Sequence, residues 1–156
     1  MTILGIDPGT ATTGYGVIEA PVLKLIEYGC IRTSQKDPLS QRLEEIYRDL
    51  SKLIKKHRPE IIAVESVFFY NNVKTAIAVA QSRGVVLLCA RQNKVPIREF
   101  TPLQVKNSLT NYGKAEKKQI QFMVKTLLDL DRVPKPDDAA DALALAICGA
   151  NAKDYD

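Results

Sequence analysis

Four acidic residues occupy positions where a carboxylate could do chemistry. Asp7 follows the apolar stretch 3–6 and precedes a Pro-Gly turn, and Glu65 ends the apolar stretch 61–64. Asp138 and Asp141 are three residues apart, a spacing that places both on one face of a helical turn. Each also has an ordinary explanation: a turn-forming aspartate, a glutamate that reaches solvent at a strand end, and two aspartates that compensate a helix dipole.

The set of acids is more informative than its members. An ionised carboxylate beside a buried strand is costly unless a partner or a metal ion compensates its charge. Oxygen ligands with no cysteine or histidine nearby suit Mg²⁺. Such a cluster suits two-metal phosphodiester hydrolysis, in which ions roughly 3.5–4 Å apart activate a water and stabilise the leaving oxygen. The one histidine, His57, lies in the basic segment 55–58, and we interpret it as a solvated surface residue and not as a general base.

The hydrophobic pattern predicts the elements that must bring these acids together. In chain order they are strands over 2–7, 13–19 and 22–33, a helix from 39 that ends at Arg58-Pro59, a strand over 60–65, a helix over 73–93, a strand over 95–100, and helices over 102–111, 116–130 and 137–152. This order predicts an α/β fold with a mixed five-stranded central sheet flanked by helices on both faces. The length of 156 residues fits one domain over 1–156.

Composition narrows the class of protein. The chain is 46% hydrophobic and 26% charged, as in an average globular protein. It has no uninterrupted run of about 18 apolar residues, which predicts no membrane span. The opening residues read as a core strand and not as a signal peptide. Three cysteines without metal-type spacing favour reduced thiols in a cytoplasmic protein.

Positive charge is concentrated in the middle of the chain. The segment 70–118 holds nine lysines and arginines but only two acids, a net charge of +7, whereas the whole chain carries +4. A basic segment between acidic flanks indicates a polyanionic partner. The alternative, a set of ordinary solvated lysines on helix faces, fits the charge pattern equally well.

Six short motifs, in order along nearly the whole chain, give it a family resemblance. They are GIDPGT at 5–10, TGYGV at 13–17, GCIRT at 29–33, ESVF at 65–68, GKAEK at 113–117 and DAADAL at 138–143. Each motif alone is weak, but together and in register they are specific. The chain resembles the RuvC family of Holliday-junction resolvases.

The resemblance implies an RNase H-like nuclease domain that acts as a homodimer. It implies Mg²⁺-dependent paired nicking of two opposing strands of a four-way DNA junction, with two ions per site and with Mn²⁺ as an alternative ion. It also implies action beside the branch-migration complex of RuvA and RuvB. The family's catalytic, metal-binding carboxylates match Asp7, Glu65, Asp138 and Asp141. Its junction-contacting aromatic matches Phe68, and its phosphate-binding lysines match Lys106 and Lys117.

Two further lysines are predicted DNA contacts by position. Lys114 and Lys118 flank the same predicted loop, 111–113, as Lys106 and Lys117, and lysines there can contact phosphates without reading sequence. An aromatic at a loop tip, such as Phe68, can stack on an unpaired base, although core packing is the other interpretation of the aromatic run 68–70.

Several alternatives stay open from the sequence. An RNA-processing nuclease of the same fold and a non-catalytic junction-binding module remain. Half of an actin-like ATPase or sugar kinase is disfavoured, because such proteins need two domains and a second glycine-rich phosphate loop. The apolar helix over 73–93 is the candidate dimer interface, and the alternative is an intramolecular core helix.

Overall fold

The computed structural model describes residues 1–66 and 73–152. Its strands are β1 (Thr2–Asp7), β2 (Thr12–Glu19), β3 (Lys24–Arg32), β4 (Ile61–Glu65) and β5 (Ile97–Phe100). Its helices are α1 (Leu39–His57), α2 (Val73–Gln92), α3 (Pro102–Thr110), α4 (Lys117–Leu127) and α5 (Asp137–Asn151). Every predicted element is present, in the predicted order.

The strands form one mixed sheet with the order β3-β2-β1-β4-β5. The first three strands are an antiparallel meander, whereas β4 and β5 run parallel to β1. The predicted α/β fold with a mixed five-stranded sheet is therefore confirmed. Because β1 and β4 are parallel neighbours, their carboxyl ends meet at the same edge of the sheet.

Side-chain alternation along β1 divides the core into two layers. Leu4 and Ile6 pack in a cluster with residues of α1 and α2, and Ile3 packs in a second cluster with residues of α5. The odd-numbered residues of β1 therefore face α5, and Asp7 follows them on that face. In β4, Ala63 belongs to the α5 cluster and Val64 to the other, so that Glu65 also projects toward α5.

Helix α5 lies unusually close to the sheet because glycines face it. A Cβ atom added at Gly5 would lie 1.9 Å from the carbonyl oxygen of Ala142, and one added at Gly14 would lie 2.0 Å from that of Asp138. No side chain other than hydrogen fits at such separations. The sequence of β1 and β2 thus lets the first turns of α5 approach the strand end that carries Asp7.

The ends of a few elements differ from those predicted. Strand β3 begins at Lys24, and Val22 lies in the preceding turn. Strand β5 begins at Ile97, after Pro96, which has no N–H to donate to a ladder. Helix α4 begins at Lys117, because Glu116 is its N-cap and exchanges hydrogen bonds with Gln119. All these shifts are short and leave the site residues on their predicted elements.

Helix α2 is more exposed than a core helix. Its buried residues, Val86 and Cys89 among them, face α1, while Val73, Ile77 and Leu88 are exposed by 69%, 53% and 53%. By length and composition, α2 is the one helix among the described residues that could cross a membrane. This qualifies the expectation from sequence, which considered only uninterrupted apolar runs.

The interpretation of His57 as a solvated residue is wrong. Its side chain is only 9% exposed, and Nε2 lies 2.7 Å from Oε2 of Glu27 on β3. Lys56 contacts the same carboxylate at 2.5 Å, and together these contacts hold the pKa of Glu27 below its usual range. A basic helix end gave no sign of this burial, because the packing of α1 on β3 is a tertiary contact.

Candidate active site

The structure gathers the four predicted acids at one edge of the sheet. Asp7 and Glu65 end the neighbouring strands β1 and β4, and Asp138 and Asp141 lie in the first turns of α5, which packs across both strands. All four are partly buried. Asp138, Glu65 and Asp141 each act electrostatically on Asp7, so that Asp7 is the centre of the group.

A pocket of about 230 Å³ opens beside these acids. Asp7, Glu65 and Asp141 line it, whereas Asp138 does not. The remaining walls come from α3, α4 and α5: Pro102, Val105, Lys106, Lys117, Ile120, Ala144 and Leu145. An acidic floor below an apolar wall with two lysines suits a ligand that carries both negative charge and a bound cation.

Among the four acids, Asp7 has the largest shift in pKa. Burial, followed by the charges of Asp141, Glu65 and Asp138, raises the pKa of Asp7 from 3.8 to about 8. A hydrogen bond to the Asp138 side chain contributes in the same direction. Two carboxyl groups can share such a bond only through a proton, and a cation can take the proton's place. Perturbation of this size in a cleft is typical of functional sites.

Glu65 and Asp141 are perturbed in the same direction. Burial, and then the charge of Asp141, raises the pKa of Glu65. Burial also raises the pKa of Asp141, although Lys117 opposes the shift. The Nζ of Lys117 lies 3.6 Å from Asp141 and 3.4 Å from Asp137. This lysine thus supplies a positive charge to the cluster.

The donor set fits a hard divalent cation, but the present arrangement does not enclose one. Carboxylate oxygens are the preferred ligands of Mg²⁺. Within residues 1–66 and 73–152, however, no three acidic, histidine or cysteine side chains lie close enough together to hold a metal ion. The mutual repulsion of the acids and the ion pair of Asp141 with Lys117 both oppose a closer approach of the carboxylates in the absence of a cation.

The predicted DNA-contacting residues fall in three different places. Lys106 on α3 and Lys117 on α4 border the pocket. Lys114 is exposed between these helices, directly after the predicted loop 111–113. Lys118 lines a separate groove with Tyr112 and Phe122, so it does not face the acids. Phe68 lies outside the described residues.

Some contacts at the site had no signal in the sequence. Thr10, in the turn after β1, donates a hydrogen bond to the Ala78 carbonyl at 2.9 Å. Arg83 donates to the Glu65 carbonyl at 3.4 Å and pairs with Glu99 at 2.6 Å. These contacts join residues far apart in the chain, and no local pattern indicates them.

The sequence is similar to those of known proteins of one family. The family model for crossover junction endodeoxyribonuclease RuvC matches residues 3–149. A protein named crossover junction endodeoxyribonuclease RuvC from Desulforamulus reducens is 57% identical over 152 residues, which cover 96% of this chain and 93% of that protein. Its counterpart in Pelotomaculum thermopropionicum is 52% identical over 153 residues, 97% of this chain and 93% of that protein.

The fold is also similar to solved structures of a protein from the same family. The Thermus thermophilus RuvC structure superposes with a TM-score of 0.89 at 35% identity, covering 97% of this chain and 94% of that one. The structure of T. thermophilus RuvC in complex with a Holliday junction substrate also superposes with a TM-score of 0.89, at 34% identity, covering 95% and 92%. The RNase H-like fold implied by the sequence motifs is thereby confirmed, and the chain belongs to the RuvC family of crossover junction endodeoxyribonucleases.

Proposed function

We propose that this protein is a crossover junction endodeoxyribonuclease that resolves Holliday junctions in DNA recombination and repair by paired, symmetric nicks. Family membership supports the reaction class, and the T. thermophilus relative is described in complex with a junction. The strongest support within this chain is the surroundings of Asp7. Asp7 is surrounded by three other carboxylates in a pocket bordered by lysines, which is the charge distribution that a metal-dependent phosphodiesterase needs.

In this proposal Asp7, Glu65, Asp138 and Asp141 hold two Mg²⁺ ions, with Mn²⁺ as the alternative. When bound, the ions supply an activated water and stabilise charge on the leaving oxygen. Because Asp7 lies at the centre of the four acids, it would be the carboxylate most needed to hold the ions. Glu65 and Asp141 face the pocket, and Asp138 supports Asp7 from outside the pocket lining.

The lysines orient the DNA in this proposal. Lys106 and Lys117 stand at the pocket walls, where each can hold a phosphate next to the acids without reading the base sequence. Lys117 also neutralises part of the charge of Asp141, and this limits repulsion between the acids and the DNA backbone. Lys114 and Lys118 remain predicted DNA contacts farther from the pocket. Phe68, which lies outside the described residues, also remains a predicted DNA contact.

Two symmetric cuts need two active sites, so we propose a homodimer. The exposed apolar residues Val73, Ile77 and Leu88 make α2 the candidate interface. The single domain over 1–156, action in the cytoplasm and cooperation with RuvA and RuvB complete the proposal. Analytical ultracentrifugation of wild type and Ile77→Glu tests the interface, since a charge at a paired apolar face separates the protomers.

The function itself is tested with a synthetic four-way junction and the matching plain duplex, each incubated with Mg²⁺ or with EDTA. We expect paired, ligatable nicks in the junction alone, and none with EDTA, because the carboxylates need a cation in order to act. Tight junction binding without cutting in Mg²⁺ supports the non-catalytic binding module. Preferential cleavage of structured RNA supports the RNA-processing nuclease of the same fold.

Replacing Lys117 with glutamine should weaken junction binding at low salt and flatten its salt dependence. Loss of one phosphate contact lowers the slope of log K against log salt concentration by about 0.9. Fluorescence anisotropy in EDTA at several salt concentrations measures this slope. Lys52→Gln is the matched control, because Lys52 is exposed on α1, across the sheet from the pocket. An unchanged slope would remove Lys117 from the DNA contacts.

A further inference from the structure

Helix α2 reaches the ends of both strands that carry catalytic candidates. The Thr10 hydroxyl, in the turn that follows Asp7, donates to the carbonyl of Ala78 on α2 at 2.9 Å. From the next turns of the same helix, Nε of Arg83 donates to the carbonyl of Glu65 at 3.4 Å. One helix thus holds the backbone beside Asp7 and the backbone of Glu65.

Arg83 links two neighbouring strands. While its Nε contacts the end of β4, its terminal nitrogen lies 2.6 Å from the carboxylate of Glu99 on β5. The Arg83 side chain is 17% exposed, so that much of it lies out of water. A planar guanidinium can make both contacts at once, whereas the single ammonium of lysine cannot reproduce that fork.

The turn after Asp7 is held from a second direction as well. The carbonyl of Thr10 accepts a 2.6 Å hydrogen bond from the hydroxyl of Thr33, which accepts one from Nε of Arg42 on α1 at 3.0 Å. Thr10 is only 9% exposed. Its hydroxyl therefore lies where loss of its partner would leave a polar group buried and unsatisfied.

These contacts fix the positions of backbone atoms and do not involve the carboxylates of Asp7 and Glu65. The side chains of Asp7 and Glu65 project toward α5, on the opposite face of the sheet from α2. Repulsion among the acids acts to spread the ends of β1 and β4 apart. A rigid support behind both strand ends resists that spreading and limits the distance through which the carboxylates must move to hold an ion.

We propose that α2 is a positioning element for the metal site, in which Arg83 positions Glu65 and Thr10 positions Asp7. The proposal rests on the proposed function, because it takes these acids as ligands of a divalent cation. In this proposal Arg83 and Thr10 act on the cation only through their contacts with the protein. Their contribution is to the affinity of the protein for the cation, through the backbone that carries its ligands.

Mg²⁺ affinity of the DNA-free protein is the decisive measurement, obtained from the rise in melting temperature on Mg²⁺ titration and checked by isothermal titration calorimetry. Arg83→Met should raise the Mg²⁺ dissociation constant about tenfold or more, the usual effect of losing a group that supports metal ligands. Thr10→Val, which keeps the shape and removes the hydroxyl, should do the same. Thr10→Ser should restore near-normal affinity.

Arg91→Met is the matched control, since Arg91 is exposed on the same helix, and its Mg²⁺ affinity should equal that of wild type. Glu99→Gln removes the ion pair but keeps Arg83, and a smaller loss of affinity is expected. If Arg83→Met does not fold, the Mg²⁺ affinity of Glu99→Gln is compared with that of wild type instead. Junction binding in EDTA should be unchanged in all of them.

Variants with lower melting temperatures but wild-type Mg²⁺ affinity would overturn the proposal and make these contacts merely structural. The proposed function can fail separately: wild type would then neither bind Mg²⁺ nor cut a junction. A wild-type protein that binds Mg²⁺ and cuts, beside variants that bind it equally well, would reject the positioning role alone.

Discussion

Replacing Asp7 with asparagine should lower the rate of junction cleavage at least about 1,000-fold while junction binding persists. Asn keeps the shape of the side chain but loses the charge at the centre of the four acids. A loss of about 4 kcal/mol of transition-state stabilisation, typical of removing a metal-ion contribution, corresponds to that factor. Single-turnover cleavage and anisotropy with the same junction measure the two effects separately.

The same substitution should stabilise the protein when no metal is present. Burial and the neighbouring acids raise the pKa of Asp7 to about 8 from 3.8, so the folded state binds this proton more tightly than the unfolded state. Below about pH 4, Asp7 is protonated in both states and does not lower the free energy of unfolding. As the pH rises from about 4 to about 8, the unfolded state loses this proton first, and Asp7 lowers the free energy of unfolding by an increasing amount. Urea unfolding in EDTA between pH 5 and 8 should show Asp7→Asn gaining stability over wild type, by a few kcal/mol on the order-of-magnitude scale of such shifts.

Mg²⁺ should reverse the comparison, because only wild type gains from the ion. Asp131→Asn is the control, since Asp131 is exposed outside the cluster, and it should cut the junction at the rate of wild type. Substantial residual cleavage by Asp7→Asn would remove Asp7 from the central role. Equal free energies of unfolding for wild type and Asp7→Asn at pH 8 in EDTA would show that other groups already compensate the charge of Asp7.

Replacing Gly5 with alanine should have the largest effect on folding. The new methyl group would lie 1.9 Å from the Ala142 carbonyl oxygen and 2.7 Å from the Ala146 amide nitrogen, both in the backbone of α5. Backbone cannot rotate away, so the whole helix must shift and carry Asp141 with it. We expect a loss of at least about 3 kcal/mol in the free energy of unfolding, at the upper end for overpacked cores, and loss of cleavage in whatever protein folds.

Gly149→Ala separates this effect from glycine substitution in general. Gly149 is also buried between α5 and the sheet, but an added Cβ would meet only side-chain atoms of Ala63 and Ile3, each at 3.3 Å. Small shifts relieve such contacts, and alanine is the better helix former. Urea unfolding should therefore show a change within about 1 kcal/mol for Gly149→Ala. Similar values for both variants would show that α5 adjusts to the sheet more freely than its packing indicates.

The order and type of the elements follow from the sequence because they depend on local patterns. Alternation along 2–7 and 13–19, helical spacing from 39 to 53 and the proline before α5 each act over a few residues. The acids at two strand ends and on one helical turn could likewise be recognised as a set, since parallel strands bring their carboxyl ends to one edge. The motif resemblance identified the same family as the full comparisons.

The sequence did not determine which residues the tertiary structure would bury or bring together. His57 is covered by β3, Lys118 faces a groove away from the acids, and Lys117 is drawn to Asp141. The contact of Arg83 with Glu65 joins elements whose meeting depends on how α2 packs against the sheet. Periodicity tells which face of an element is apolar, but burial and electrostatic coupling depend on distances between elements, and only the packed chain sets those distances.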